Sequence, residues 1–287
     1  MNNNLEGLLK REGVNPEDFL KFAQDTSLVE YEHYNYPISK YAVYGPYQVK
    51  MVNVDDVLGI PNYLLTSPSF VENFTDIFAD NGDIYHTRAN GMLDYSGEDV
   101  LEKLGRSFEV EAMKFYQMGD KFFVSGNGMH RFFLLKMHSL IAKYKNKDVQ
   151  FVIPADVQEM DYLKTYVNFI GSTLWDETYE VYQDIDSDYN YTGKAKVFYK
   201  NKELILDDTE LIAFMKGRIN ALKELDESYY ADIITSLWQR CKWEDTGLLK
   251  KFISMYLPEF RSLMDIQEFS DLEYEITNML EEGKSLC

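Results

Sequence analysis

Cysteine is nearly absent: Cys241 and Cys287 are the only two, and Cys287 is the last residue. They cannot build a disulfide framework or a four-cysteine zinc site. Long apolar runs are missing as well. The longest, Leu211 to Met215, is five residues, where a membrane span needs about 20. The opening Met-Asn-Asn-Asn-Leu-Glu lacks the charged-then-apolar pattern of a secretory signal, so a cytoplasmic protein with no membrane partner is expected. Positive charge is scarce: 29 bases face 48 acids, a formal net charge of −19. Residues 1–150 carry 21 acids and 15 bases (net −6), and residues 151–287 carry 27 acids and 14 bases (net −13). Non-specific DNA binding requires Lys and Arg against phosphates and is not expected here. Motifs are missing too. There is no Walker A loop, no HExxH pair, no GxSxG elbow and no CxxC.

What is present is the making of a large core. The 287 residues are 45% hydrophobic and include 22 Tyr, 18 Phe and 3 Trp. No basic groove accompanies the aromatics, so they read as core rather than as base-stacking platforms. Leu5, Leu8 and Leu9 share a helical face, and Asn15-Pro16 starts a second helix. Residues 47–54 alternate as a strand, after which Asp55-Asp56-Val57-Leu58 turns away. A short helix suits 69–79. Ser96-Gly-Glu-Asp99 resembles a capping box for a helix over 97–105. A strand follows at 108–115, then a Gln117–Asp120 turn, a returning strand at 121–124, and a helix from Met129 to about Tyr144. Beyond it come a strand at 149–153, a helix at 157–175 and an acidic loop at 176–188 holding six acids and no base. A hairpin then joins 197–199 to 204–206. Helices are expected over 208–224, 227–242, 245–256 and 265–282. The resulting class is α+β, with a small mixed sheet followed by a mostly helical second half. Three segments are expected: 1–39, a helical extension; 40–150, an α+β domain; and 151–287, an acidic, mainly helical domain.

The informative stretch runs from Gly119 to Lys136: a strand, a glycine loop and a helix start. Gly126-Asn-Gly128-Met-His-Arg131 opens like a dinucleotide fingerprint but ends in Arg, so that fingerprint fails. Read physically, Ser125, Gly126, Asn127 and Gly128 form a turn that exposes N–H groups at the positive end of a helix dipole. Arg131 adds a planar donor suited to phosphate oxygens, and His130 a proton donor or acceptor near neutral pH. Together they form a phosphate cradle with an acid/base neighbour. Asp55 and Asp56 after the first strand are candidate base or magnesium ligands, with Glu109 and Glu111 as rivals. Lys136, Lys143, Lys145 and Lys147 complement the helix C-terminus. His138 reads as a surface residue, and His33 and His86 have no ligand spacing.

The order of these elements over residues 47–142, with Val49-Lys-Met-Val-Asn-Val-Asp-Asp-Val and Phe122-Phe-Val-Ser-Gly-Asn-Gly-Met-His-Arg131, resembles the ParB/sulfiredoxin-like family. That resemblance covers roughly a third of the chain. It implies nucleotide binding by the loop and its Arg, as a nucleoside triphosphate or diphosphate with Mg²⁺. Met129 stands where sulfiredoxins carry Cys, so their thiol chemistry is absent. Asn127-Gly-Met-His-Arg131 stands where partition proteins usually carry Glu-Arg-Arg, and no basic helix-turn-helix follows. The leading expectation is a nucleotide-binding protein that acts as an NTP hydrolase or phosphotransferase through His130, Arg131, Asp55 and Asp56. Two alternatives stand beside it: a non-enzymatic interaction or ligand-sensing module, and a ParB-like nuclease or DNA-associated protein. The partners open to the chain are a nucleotide, a basic protein and a second copy of itself.

Overall fold

The computed structural model describes residues 3–24, 26–30, 41–61, 64–79, 91–94, 100–101, 112–174, 180–199 and 202–225. It is a mixed α+β protein that divides into two units, Met1–Tyr34 with Tyr44–Met160, and Asn35–Val43 with Asp161–Cys287.

In the first unit, α1 (Asn3–Arg11) and α2 (Pro16–Ala23) form where the sequence places them. The Asn15 side chain accepts from the N–H groups of Glu17 and Asp18 at 2.9 and 3.2 Å. Pro16 follows in the first turn, where its missing N–H removes no helical bond. Six strands form one sheet in the order β1-β3-β5-β4-β6-β2. Their ranges are β1 Val29–Glu30, β2 Tyr44–Asn53, β3 Val57–Ile60, β4 Lys114–Met118, β5 Lys121–Val124 and β6 Val152–Met160. The β4–β5 hairpin and the β2–β6 pair are antiparallel, while β1–β3, β3–β5 and β4–β6 are parallel. Helix α3 (Phe70–Ile77) starts at Ser69, whose hydroxyl accepts from the Glu72 N–H.

Helix α4 (Met129–Tyr144) sits at the centre of the core, with every residue from Arg131 to Ala142 buried. Phe133 stacks on Phe70 with ring centroids 5.4 Å apart. Sequence periodicity gives α4 a single apolar face, yet the fold covers it all round. Its polar residues must therefore find partners inside.

Three expectations change in this unit. The chain does not leave the sheet after Asp55-Asp56. Only Val54–Asp56 forms a single 3₁₀ turn, and Val57-Leu-Gly-Ile60 re-enters as β3. Four residues are too few to display a period. The strand expected at 149–153 instead runs from Val152 to Met160, so residues 157–160 are extended and not helical. Pro154 is tolerated there for a local reason. The Asp156 N–H donates to Met113 O at 2.9 Å on the β4 side. The ring nitrogen of Pro154, two residues earlier, faces the same side, before β4 begins, so no ladder bond is lost. Finally, β6 lies between the hairpin and β2, so the hairpin and the 47–54 strand share a sheet without pairing, and they meet through side chains such as Lys50 and Gln117. Of the helix expected over 97–105, Val100 and Leu101 are helical. The rest, with Glu109, Glu111, His33 and His86, lies outside the described residues.

In the second unit, α5 (Tyr162–Leu174) is anchored to the 41–43 segment. Thr165 Oγ1 accepts from the Val43 N–H at 2.8 Å, and Val43 O accepts from the Asp161 N–H at 2.7 Å. Strands β7 (Glu180–Ile185), β8 (Tyr191–Tyr199) and β9 (Lys202–Leu206) form an antiparallel meander, followed by α6 (Asp208–Leu225). The acidic loop expected over 176–188 is thus a strand from Glu180 to Ile185. Val181 is buried at 1% exposure, and Asp184 accepts from the Thr192 hydroxyl at 2.7 Å. Composition pointed to solvent, but cross-strand pairing overrode it. The expected mostly helical second half shows two helices and a three-stranded sheet among the described residues. The helices expected beyond residue 225 lie outside them.

Candidate functional site

The loop between β5 and α4 is locked onto the start of β4. The Ser125 N–H donates to Lys114 O at 2.9 Å, and the Lys114 N–H donates to Asn127 O at 3.1 Å. Asn127 Nδ2 donates to Ala112 O at 3.2 Å. Gly126 has φ 145° and Gly128, the residue that caps α4, has φ 95°. At Gly128 a side chain is excluded twice: the backbone is left-handed, and a Cβ would stand 2.3 Å from Met113 Cγ. Ser125 Oγ is buried and has no hydrogen-bond partner among the described residues. A buried hydroxyl in that condition is uncommon in native folds and needs an explanation.

His130 and Arg131 follow in the first turn of α4. Successive residues lie about 100° apart around a helix, so the two side chains leave it in different directions. The His130 ring meets Phe78 edge-on, with centroids 5.9 Å apart. Arg131 is buried at 8% exposure. The expected open guanidinium beside the loop is therefore corrected: Arg131 belongs to the interior. The loop itself is less covered than Arg131: Gly126 is exposed, and Ser125, Asn127, Gly128, Met129 and His130 are half-buried.

Asp55 and Asp56 do not join this loop. Asp55 lies against the other half of α4, where it accepts from Ser139 Oγ at 3.0 and 3.1 Å and pairs with Lys143 at 2.9 Å and Lys136 at 3.5 Å. Lys136 Nζ also donates to Val54 O and Asp55 O, at 3.1 and 3.3 Å, closing the 3₁₀ turn. Along the α4 axis, Ser139 stands about 13 Å from His130. Partial burial pushes the Asp55 carboxyl up, but Lys143, Lys136 and the Ser139 hydroxyl outweigh it and hold its pKa below the usual carboxylate range. Burial lowers the Lys136 pKa, with Asp55 opposing. Asp56 is exposed.

A further polar group lies on α4. His138, expected at the surface, is 4% exposed, with Nδ1 3.9 Å from a Glu12 carboxylate oxygen. Lys145 pairs with Glu12 at 3.1 Å. Three of the four lysines expected to serve the helix dipole, Lys136, Lys143 and Lys145, thus pair with two acids, Asp55 and Glu12. One signal in the sequence pointed to the Asp55 cluster: Lys136, Ser139 and Lys143 recur at helical spacing within an apolar helix. Among the described residues, no three of His, Cys, Asp and Glu gather as a metal site. None of the described helices is long and apolar enough to cross a membrane. No protein-family model, no curated protein and no solved structure matches the chain.

Proposed function

We propose that the protein binds a nucleotide through its phosphates at the Ser125–Gly128 loop. The reading is carried by the buried Ser125 hydroxyl, which has no protein partner and sits in a loop of two positive-φ glycines at the start of a 16-residue helix. A helix start favours anions, and a phosphate oxygen would accept a hydrogen bond from the hydroxyl. The step from phosphate to nucleotide rests on the resemblance to the ParB/sulfiredoxin-like family. Mg²⁺ would come on the nucleotide's own phosphates. Asp55, held by two lysines and a serine at the other half of α4, favours binding without turnover, the non-enzymatic ligand-sensing reading.

Titration calorimetry with ATP, ADP, CTP and GTP, each with Mg²⁺, tests the proposal. At least one is expected to bind, and Ser125→Val to weaken it about tenfold, the loss of one charge-assisted hydrogen bond. No binding by any of the four, or equal affinity in the variant, overturns it. Phosphate release that His130→Ala abolishes would favour the NTP hydrolase or phosphotransferase reading over the non-enzymatic one.

A further inference from the structure

Strand β2 closes one edge of the six-stranded sheet, and among the described residues no strand pairs with its outer side. An open edge is a template for another strand unless charge, proline or a bulge blocks it. Here the blocking features stop at one end. The pairing with β6 is irregular between Tyr44 and Tyr47, around Gly45-Pro46, and regular from Tyr47 to Asn53.

The parity of that regular stretch can be read from a hydrogen bond. The Val54 N–H donates to Phe151 O across to the β6 side at 3.0 Å. Backbone direction alternates along a strand, so Val52, Lys50 and Gln48 also face β6. The N–H and C=O groups of Tyr47, Val49 and Met51 therefore face outward. The same three residues carry the apolar side chains left in the open, at 44%, 67% and 64% exposure. Lys50, on the opposite face, is the sole charged residue of β2 and is engaged by Gln117 and Glu159 at 2.7 Å each.

From this coincidence we infer that β2 pairs antiparallel with β2 of a second copy of the chain, about a two-fold axis at Val49. In that register Val49 meets Val49 of the second copy and Tyr47 meets Met51. The outward N–H and C=O groups of all three form reciprocal hydrogen bonds. Gln48 meets Lys50, so no like charges are opposed on either face. Moving the axis to Lys50 would oppose two lysines and turn inward-facing backbone groups to the join. The pairing is self-complementary, as a two-fold contact requires. Charge selects the same strip. Two chains of net −19 repel over most of their surface, and β2 is a segment with no acidic residue.

Sedimentation equilibrium over a concentration series tests this on the full chain, with Val49→Lys as the variant. Val49 is solvent-facing, so the fold should persist, as circular dichroism will check. The parent is expected to be a dimer, and the variant to dissociate at least about tenfold more readily, because two ammonium groups then oppose across the axis. In a second measurement, Val49→Cys is placed in a Cys241→Ser, Cys287→Ser background and oxidised. Directly opposed residues in such a pair lie about 5.5 Å apart at Cα, within disulfide reach, so a covalent dimer is expected. A parent that stays monomeric at every concentration, a dimer unmoved by Val49→Lys, or no cross-link at residue 49 overturns the inference.

Discussion

The two halves of α4 solve different problems with the same helix. At its start, Gly126 and Gly128 adopt positive φ and the loop's hydrogen bonds run to β4, leaving the Ser125 hydroxyl buried with no hydrogen-bond partner among the described residues. Toward its end, Lys136, Ser139 and Lys143 converge on Asp55, whose carboxylate is fully engaged. A buried polar group without a protein partner points to a ligand, whereas a saturated cluster points to the fold. By that criterion the Ser125 loop is the site proposed above, and the Asp55 cluster belongs to the fold.

The largest effect should come from the start of the helix. Gly128→Ala forces both a left-handed alanine and a collision with Met113, and should destabilise the protein by about 2–4 kcal/mol. Urea denaturation reads this directly, and a loss below about 1 kcal/mol would mean that the loop relaxes and is not held by β4. Next comes the other half. Asp55→Ala leaves Lys136 buried with carbonyls alone and should cost about 1–3 kcal/mol, less than a fully buried pair because Asp55 and Lys143 reach solvent. Lys136→Met should recover part of that loss in the double variant. If it does not, the cluster is not a coupled unit.

Acid sharpens the contrast. The Asp55 pKa is lowered in the folded protein, so its contribution is present above the unfolded value of about 3.9 and is lost as pH falls through the lower folded value. Asp55→Asn should flatten that part of the stability profile. Lys136 works the other way at alkaline pH. Its folded pKa is lowered, so the cost of charging it fades as pH rises toward about 10.4, the unfolded value. Unchanged slopes in Asp55→Asn and Lys136→Met would separate these groups from pH-dependent stability. The smallest effect is Ser125→Ala, within about 0.5 kcal/mol of the parent by thermal or urea unfolding, because no protein hydrogen bond is lost. A loss well above that would give the hydroxyl a structural role and remove the argument for a ligand.

Local chemistry was legible residue by residue. Asn15-Pro16 and the Gly119-Asp120 turn mark element ends by side-chain and backbone preferences that act over a few residues. The helix from Met129 to Tyr144 and its glycine loop were equally visible. β3 and the full length of β6 were not: β3 is a four-residue parallel strand with no period of its own, and β6 exists through its pairing with β2 on one side and β4 on the other. The strand at 180–185 was hidden for a similar reason, as its acids read as solvent-facing until β8 is laid beside it. Of the candidate site, Ser125 to Gly128 could be named from sequence, but the burial of Arg131 and the pairing of Asp55 could not.

The sequence by itself determined where α4 begins, that its entry needs glycine, and that the chain is acidic and free of long apolar runs. These follow from preferences within a single turn and from composition. Tertiary structure alone decided that α4 is buried on all sides and that Asp55, about 80 residues before its partners, answers Lys136 and Lys143. It also decided that β2 is an edge whose outward backbone and apolar side chains belong to the same residues. Each of these depends on which segments lie side by side. Burial and pairing are properties of neighbours distant in sequence, and no local preference encodes them.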